Sequence, residues 1–115
     1  MAQDSGKALE WYTKAAEQGH AGAQNNLGLY YQHGLGVAQD YGKAAEWFTK
    51  AAEQGHAEGQ NNLGVCYEYG EGVVQNHGKA VEWYTKAAEQ GHARAQANLA
   101  NMTPRGSGLR AAQGI

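Results

Sequence analysis

The chain has 115 residues, a formal net charge of −2 and one cysteine. Its acidic and basic residues are interspersed, which speaks against nucleic acid as a partner because such binding needs a clustered basic face. One cysteine excludes an internal disulfide, and no apolar run approaches the ~20 residues of a membrane helix. The first residues contain no signal segment, so the compartment is unknown and the cytoplasm is the default, although a fragment could have lost such a segment.

One segment occurs three times in this chain, at intervals of 36 residues. The copies read GKALEWYTKAAEQGHA at 6–21, GKAAEWFTKAAEQGHA at 42–57 and GKAVEWYTKAAEQGHA at 78–93. A fixed period of this size is typical of stacked repeats, in which each unit buries its apolar face against its neighbours. We therefore predict a single all-α repeat domain over residues 1–109. Its helical hairpins are 4–39, 40–75 and a truncated 76–109, followed by a frayed tail at 110–115.

The middle copy shows how each repeat begins and turns. Asp40 is a good N-cap, because its carboxylate accepts hydrogen bonds from free N–H groups of the first turn. Gly55 ends the first helix in the left-handed conformation, His56 caps the second helix, and Asn76 caps the next copy. These signals predict helices at 5–18, 21–33, 41–54, 57–69, 77–90 and 93–102.

The second helix of each hairpin carries an internal glycine. Gly64 costs ~1 kcal/mol relative to alanine inside a helix, and its recurrence at Gly28 predicts a close helix crossing. The turn that follows contains Val73 as an apolar plug. In the third copy, Pro104 should end the helix by removing a donor and clashing with the preceding turn, with a glycine turn retained at 106–109.

The pattern A-x-x-W-[YF]-x-K-A-A-x-x-G-x-A, followed by Q-x-x-L-G-x-x-Y-x-x-G-x-G-V, resembles the Sel-one-like repeat family, a relative of the tetratricopeptide repeats. The resemblance covers residues 4 to about 109. The period of 36 and the G-x-G-V turn favour this branch over the ordinary tetratricopeptide repeat of 34 residues. The matching positions include the tryptophans Trp11, Trp47 and Trp83 and the pairs Leu27-Gly28 and Leu63-Gly64.

The resemblance implies a right-handed α-solenoid that acts as an adaptor or scaffold. Proteins of this kind resemble parts of signalling complexes, of membrane-protein quality control and of bacterial host-interaction factors. A cysteine-rich branch carries one disulfide per repeat and has been linked to β-lactam binding. Because this chain lacks those cysteines, that activity does not carry over.

The residues that could support catalysis or metal binding favour structural roles. His20, His56 and His92 lie one repeat apart, and helices packed ~8–10 Å apart cannot share an ion whose nitrogen ligands lie ~2.0–2.1 Å away; we interpret them as helix caps. Cys66 has no neighbouring base in the sequence, as a nucleophile would need, so we interpret it as a packing position. The sequence thus predicts no enzyme activity, no cofactor and no metal.

Two surfaces are candidates for binding. The first helices repeat a polar E-T-K-E pattern, and the resemblance places first helices on the concave side of the stack. These residues, the first-helix face, are Glu10, Thr13, Lys14, Glu46, Thr49, Lys50, Glu82, Thr85 and Lys86. The second helices and turns carry most differences between copies. This variable surface comprises Glu58, Glu68, Tyr69, Glu71 and Arg94.

The predicted function is binding of a protein or an extended peptide without catalysis, and the alternative is a self-associating structural array of consensus-like or designed origin. The excess of glutamate on the first-helix face favours a basic or amide-rich peptide. Each lysine of that face follows a glutamate by four residues, a helix pair worth ~0.2–0.5 kcal/mol. We further expect the three tryptophans to pack between neighbouring helices, and the uncovered ends of the stack to associate.

Overall fold

The computed structural model describes residues 5–107 as six α-helices, with no β-strand among those residues. The first five helices agree with the predicted spans to within one residue at each end. Consecutive helices pack antiparallel as hairpins, and each second helix also packs against the first helix of the next hairpin. The helices are α1 (Ser5–Glu17), α2 (Ala21–His33), α3 (Tyr41–Glu53), α4 (Ala57–Tyr69), α5 (His77–Glu89) and α6 (Ala93–Ser107).

The predicted caps are present at most helix starts. Oδ1 of Asp40 accepts from the Lys43 N–H at 3.0 Å, and Oδ1 of Asn76 accepts from the Lys79 N–H at 2.9 Å. His56 and His92 each accept, through Nδ1, from the N–H three residues on, at 3.0 and 3.1 Å. His20 makes no such bond, so the prediction was wrong there.

The histidine difference has a structural reason. His92 lies against Glu58 of the preceding repeat, with Nε2 3.8 Å from Oε1, and His56 lies near Gly22 of the preceding repeat. Both rings are half-buried, whereas His20 is exposed because no earlier hairpin in the described residues lies beside it. A cap that depends on a neighbouring repeat is therefore lost at the first copy.

Helix α6 corrects a second prediction. It runs through Pro104 to Ser107, so Gly106 and Ser107 are helical and do not form the expected turn. Proline removes one backbone donor, but its fixed φ of about −65° is itself helical, so it weakens a helix without always ending it. The rest of the expected turn and the tail at 110–115 lie outside the described residues.

The core forms where an aromatic ring of one repeat meets a glycine of the repeat before it. The side chains of Phe48 in α3 and Tyr84 in α5 are fully buried. A Cβ at Gly28 would lie 2.6 Å from the Phe48 ring, and a Cβ at Gly64 would lie 2.6 Å from the Tyr84 ring. The close crossing predicted from the helix glycines is confirmed. We call each such contact a glycine–aromatic slot.

The tryptophan prediction is confirmed only in part. Trp83 packs against the central cluster that contains Phe48 and Leu63, but Trp83 and Trp47 are only half-buried. Trp11 is 71% exposed, because within the described residues no repeat precedes α1. The fully buried aromatic is therefore the residue after the tryptophan in the second and third copies.

Two ladders of side-chain amides join the repeats beside the slots. Gln54 donates to Oε1 of Gln24 at 2.8 Å, and Gln90 donates to Oε1 of Gln60 at 2.9 Å. The second ladder runs from Asn62 to Asn25 at 2.8 Å and from Asn98 to Asn61 at 3.0 Å. The four acceptor residues are buried, and a buried polar group without a partner costs ~1–3 kcal/mol. The ladders therefore fix the register in which one repeat docks on the next.

Candidate binding surfaces

The first-helix face consists of exposed charges above half-buried threonines. Its glutamates and lysines are exposed. The threonines turn inward, and the Oγ1 hydroxyls of Thr13, Thr49 and Thr85 donate to the carbonyl four residues earlier, each at 2.7 Å. Since each hydroxyl proton is used inside its own helix, the threonines can only accept hydrogen bonds from a ligand.

Within the described residues, open recesses lie on the first helices and between the first two hairpins. One of about 140 Å³ lies on α1 and is lined by Lys7, Glu10, Trp11 and Lys14. One of about 310 Å³ lies on α3 and is lined by Glu46, Thr49, Lys50 and Glu53. Another, of about 290 Å³, lies between the first two hairpins and is lined by Ala16, Glu17, Gly19, Gln24, Trp47 and Lys50.

Of the predicted residues, Glu10 and Lys14 of α1 and Glu46, Thr49 and Lys50 of α3 line these recesses, whereas Thr13 lines none of them. Glu17 and Glu53, the last residues of the E-T-K-E pattern in their helices, also line these recesses, and so does Trp47, which was not assigned to this face from the sequence. The signal that identifies Trp47 is its spacing of three residues from Lys50, which puts both side chains on one side of the helix.

Two of the three lysines of this face, Lys50 and Lys86, lie over tryptophans and not beside the glutamates. Nζ of Lys50 is 5.9 Å from the Trp47 ring centroid, and Nζ of Lys86 is 5.7 Å from that of Trp83. The expected pairs of Glu46 with Lys50 and of Glu82 with Lys86 are absent from the described residues. An indole face attracts an ammonium by ~0.5–1 kcal/mol at exposed sites, which exceeds a surface helix pair.

The variable surface is divided by the structure. Oε2 of Glu58 lies 3.6 Å from Nη2 of Arg94, and its Oε1 lies 3.8 Å from Nε2 of His92. Glu58 therefore joins the second and third hairpins. Glu68 accepts a hydrogen bond from the Tyr84 hydroxyl at 2.6 Å. In the preceding copy the corresponding residues are Gln32 and Phe48, so the extra carboxylate accompanies the extra hydroxyl. Differences at Glu58 and Glu68 are therefore explained by contacts within the stack.

Tyr69 and Glu71 remain at the surface near the turn after α4. Tyr69 is 64% exposed, and Val74 on the same turn is 87% exposed. Tyr69 is thus the apolar residue of the variable surface that a partner could contact, with exposed Val74 on the turn beyond it, while Glu71 is half-buried.

Metal-ligand clusters and membrane-spanning helices were both sought among the residues that the structure describes. No group of three or more His, Cys, Asp or Glu side chains within 5–107 could hold a metal ion. In the same range, no helix has the length and apolar character to cross a bilayer.

Cys66 is a core residue, as its position predicted. Its side chain is 2% exposed, and desolvation by burial, with the charge of Glu71 second, raises its pKa to about 12. Thiolate is the reactive form of cysteine, so the folded protein should keep this thiol inert.

We expect Cys66 to react with a disulfide reagent only when the core opens. At pH 8 the folded chain should react far more slowly than the same chain in urea, and the rate should follow the unfolded fraction. The sign of the pH effect follows from the raised pKa: the contribution of Cys66 to stability should be constant below pH 9.0, the ordinary pKa of the thiol, and should be lost as pH rises towards about 12. Rapid labelling of the folded chain would show that Cys66 is not packed as described.

The repeated hairpins, the slots and the amide ladders define a helical-repeat solenoid. The Sel1 repeat family model matches residues 1–20, 21–56 and 57–92. The chain therefore belongs to the Sel1 repeat family, which consists in general of non-catalytic protein-interaction scaffolds. The family's repeat unit runs from a second helix into the next first helix, and so contains one glycine–aromatic slot.

Solved structures of this family resemble the chain closely. A protective antigen of uropathogenic Escherichia coli with an SLR fold has a TM-score of 0.88 and 45% identity, over 93% of this chain and 23% of that protein. A Sel1 repeat protein from Oxalobacter formigenes has a TM-score of 0.85 and 39% identity, over 93% and 44%. Helicobacter pylori cysteine-rich protein B has a TM-score of 0.79 and 31% identity, over 84% and 73%.

The chain spans less than half the length of the first two of these proteins. No protein with a curated description matches it at a significant level.

Proposed function

We propose that this chain is a peptide-binding adaptor module whose ligand is an extended, basic or amide-rich segment of another protein, bound along the first-helix face without catalysis. The family assignment supports the class of function, because Sel1 repeats are in general interaction scaffolds. The recesses and the unpaired charges support the choice of surface.

The proposal rests on the exposure of the glutamates of α3 and α5 and on their lack of ion pairs within the described residues. Glu46, Glu53, Glu82 and Glu89 are exposed and form no ion pair within the described residues. The lysines that could neutralise them lie over Trp47 and Trp83. These carboxylates remain available to a ligand, and hydrogen bonds to an ionised partner are roughly twice as strong as neutral ones.

The recess between the first two hairpins adds an apolar contact. Trp47 and Ala16 line it together with Lys50 and Glu17. A side chain with an aliphatic stem and a cationic end fits this combination, because the stem covers apolar surface while the charge stays near the Glu17 carboxylate. Lysine and arginine are the natural side chains with this form.

The test is a selection of displayed random peptides on the immobilised chain, followed by affinity measurement of one selected peptide. We expect selected sequences to be rich in lysine and arginine, and Glu46→Gln combined with Glu82→Gln to weaken binding by at least about tenfold, which is 1.4 kcal/mol. Affinity should also fall as salt rises, because exposed charges are screened over ~10 Å at 0.1 M.

The matched control is Glu58→Gln combined with Glu71→Gln. It removes the same number of carboxylates from the variable surface and should leave the affinity unchanged. If this control weakens binding and the first-helix pair does not, the ligand binds the variable surface and the proposal is wrong.

A further inference from the structure

The first hairpin presents the side chains that later hairpins use to dock on the repeat before them. Phe48 and Tyr84 fill the slots of the preceding repeat and are fully buried, while the corresponding Tyr12 is half-buried. Trp47 and Trp83 are half-buried, while the corresponding Trp11 is 71% exposed.

In the first hairpin, the residues that correspond to the donors of the amide ladders also have no repeat to donate to within the described residues. Gln54 and Gln90 donate to the preceding repeat, as do Asn62 and Asn98. The corresponding Gln18 and Asn26 make no side-chain hydrogen bond within residues 5–107. An aromatic knob, a tryptophan and two amide donors therefore lie on one face, which we call the N-terminal face: Trp11, Tyr12, Gln18 and Asn26.

The opposite end of the stack lacks two of the three receiving groups, since Gln96 keeps the position of the glutamine acceptors but the asparagine and the glycine are replaced. Asn25 and Asn61 accept ladder bonds, and the same position in α6 is Ala97. Gly28 and Gly64 admit an aromatic ring, and the same position in α6 is Ala100. A Cβ in the internal slots would lie 2.6 Å from the ring, a distance that real Cβ atoms do not show. Helix α6 therefore cannot receive another repeat in the geometry of the internal interfaces.

We propose that the N-terminal face is a docking site for one further helical hairpin of the same repeat type, and that the α6 face is closed to such a hairpin. The occupant is a hairpin whose second helix carries Gln, Asn and Gly with the spacing of Gln60, Asn61 and Gly64, because that spacing continues the interface seen twice in this chain. This inference is independent of the proposed peptide-binding function.

A second copy of this chain does not fit as the occupant. Its internal second helices, α2 and α4, are already covered by α3 and α5, and its remaining second helix is α6, where Ala97 and Ala100 replace the acceptor and the glycine. The ends of the stack were expected from the sequence to associate, but Ala97 and Ala100 oppose head-to-tail association of identical chains in the geometry of the internal interfaces. In the E. coli and O. formigenes proteins, by contrast, a unit of this size is part of a longer chain.

The test compares one added repeat at either end. A copy of residues 40–75 is joined directly before Asp4 in one variant and directly after Ala111 in the other, which keeps the 36-residue register. We expect the first extension to raise the Tm by more than about 5 °C, because the added α4-type helix covers Tyr12 and Trp11. The second extension should leave the Tm unchanged.

Two matched variants separate docking from mere lengthening. Gly64→Leu within the added copy should abolish the gain at the N-terminal end, because it fills the new slot. Ala97→Asn combined with Ala100→Gly should allow the extension after Ala111 to raise the Tm. Equal gains at both ends without these changes, no gain before Asp4, or head-to-tail association of the unaltered chain in sedimentation would each overturn the proposal.

Discussion

Replacing Phe48 by alanine is expected to unfold the array. The ring is fully buried in the slot at Gly28 and belongs to the central cluster with Ala44 and Leu63. Removing a buried aromatic side chain costs ~3–5 kcal/mol, while small domains have only ~5–15 kcal/mol in total. In a stack of three hairpins, each repeat is stabilised only by its neighbours. Removal of the Phe48 ring therefore removes the main contact between the first hairpin and the second.

The measurement is urea unfolding followed by circular dichroism, with Trp11→Ala as the matched control. Trp11 is an aromatic residue of the same repeat motif, but it is 71% exposed, so its removal should change the free energy of unfolding by less than ~1 kcal/mol. A Phe48→Ala chain as stable as the Trp11→Ala chain would show that the slots do not hold the repeats together.

The second large effect is expected at the glycine of the other slot. Gly64→Ala places a Cβ 2.6 Å from the ring of Tyr84, which is fully buried and hydrogen-bonded to Glu68 and therefore cannot move aside easily. Overpacking of this kind costs ~1–3 kcal/mol, which exceeds the ~1 kcal/mol gained from the better helix propensity of alanine.

Gly22→Ala provides the control with the opposite sign. Gly22 lies in the first turn of α2 and is exposed, and a Cβ at this position would meet only Nε2 of His56, at 4.0 Å, among the described residues. Here alanine should stabilise the chain by ~0.4–1 kcal/mol, chiefly by restricting the unfolded state. Thermal unfolding of both variants should therefore move the Tm in opposite directions, and a parallel shift would contradict the slot assignment.

The 36-residue period predicted the helices well because the residues that begin and end each helix act through local contacts. Asp40 and Asn76 cap by contacts within three residues, and Gly55 ends α3 with a φ of +89°. What the period could not decide is which of two adjacent aromatic residues enters the core. Trp47 and Phe48 lie on the same broad helical stripe, and the choice between them depends on how closely α2 and α3 cross.

The amide ladders were not predicted because Gln and Asn are normally surface residues. Gln60 was placed on one face of its helix, but nothing local indicates that it meets Gln90 of the next repeat. One sequence signal does exist, since the asparagine at 25 and 61 becomes Ala97 only in the copy that has no repeat packed on it in the described residues.

The residue types of the first-helix face could be predicted from the sequence, but the contact partner of each lysine could not. Local spacing favoured Glu46 with Lys50, whereas Lys50 lies over Trp47. The difference leaves the glutamates unpaired within the described part of the chain, and the proposed binding of basic segments depends on those carboxylates.

The most direct test of peptide binding on the first-helix face is a titration of the ¹⁵N-labelled chain with a lysine-rich selected peptide, followed through the indole N–H signals. We predict that the signals of Trp47 and Trp83 shift together with the amides of Glu46 and Glu82. Shifts confined to Tyr69, Glu71 and Arg94, with both indole signals unmoved, would contradict the account and place the ligand on the variable surface.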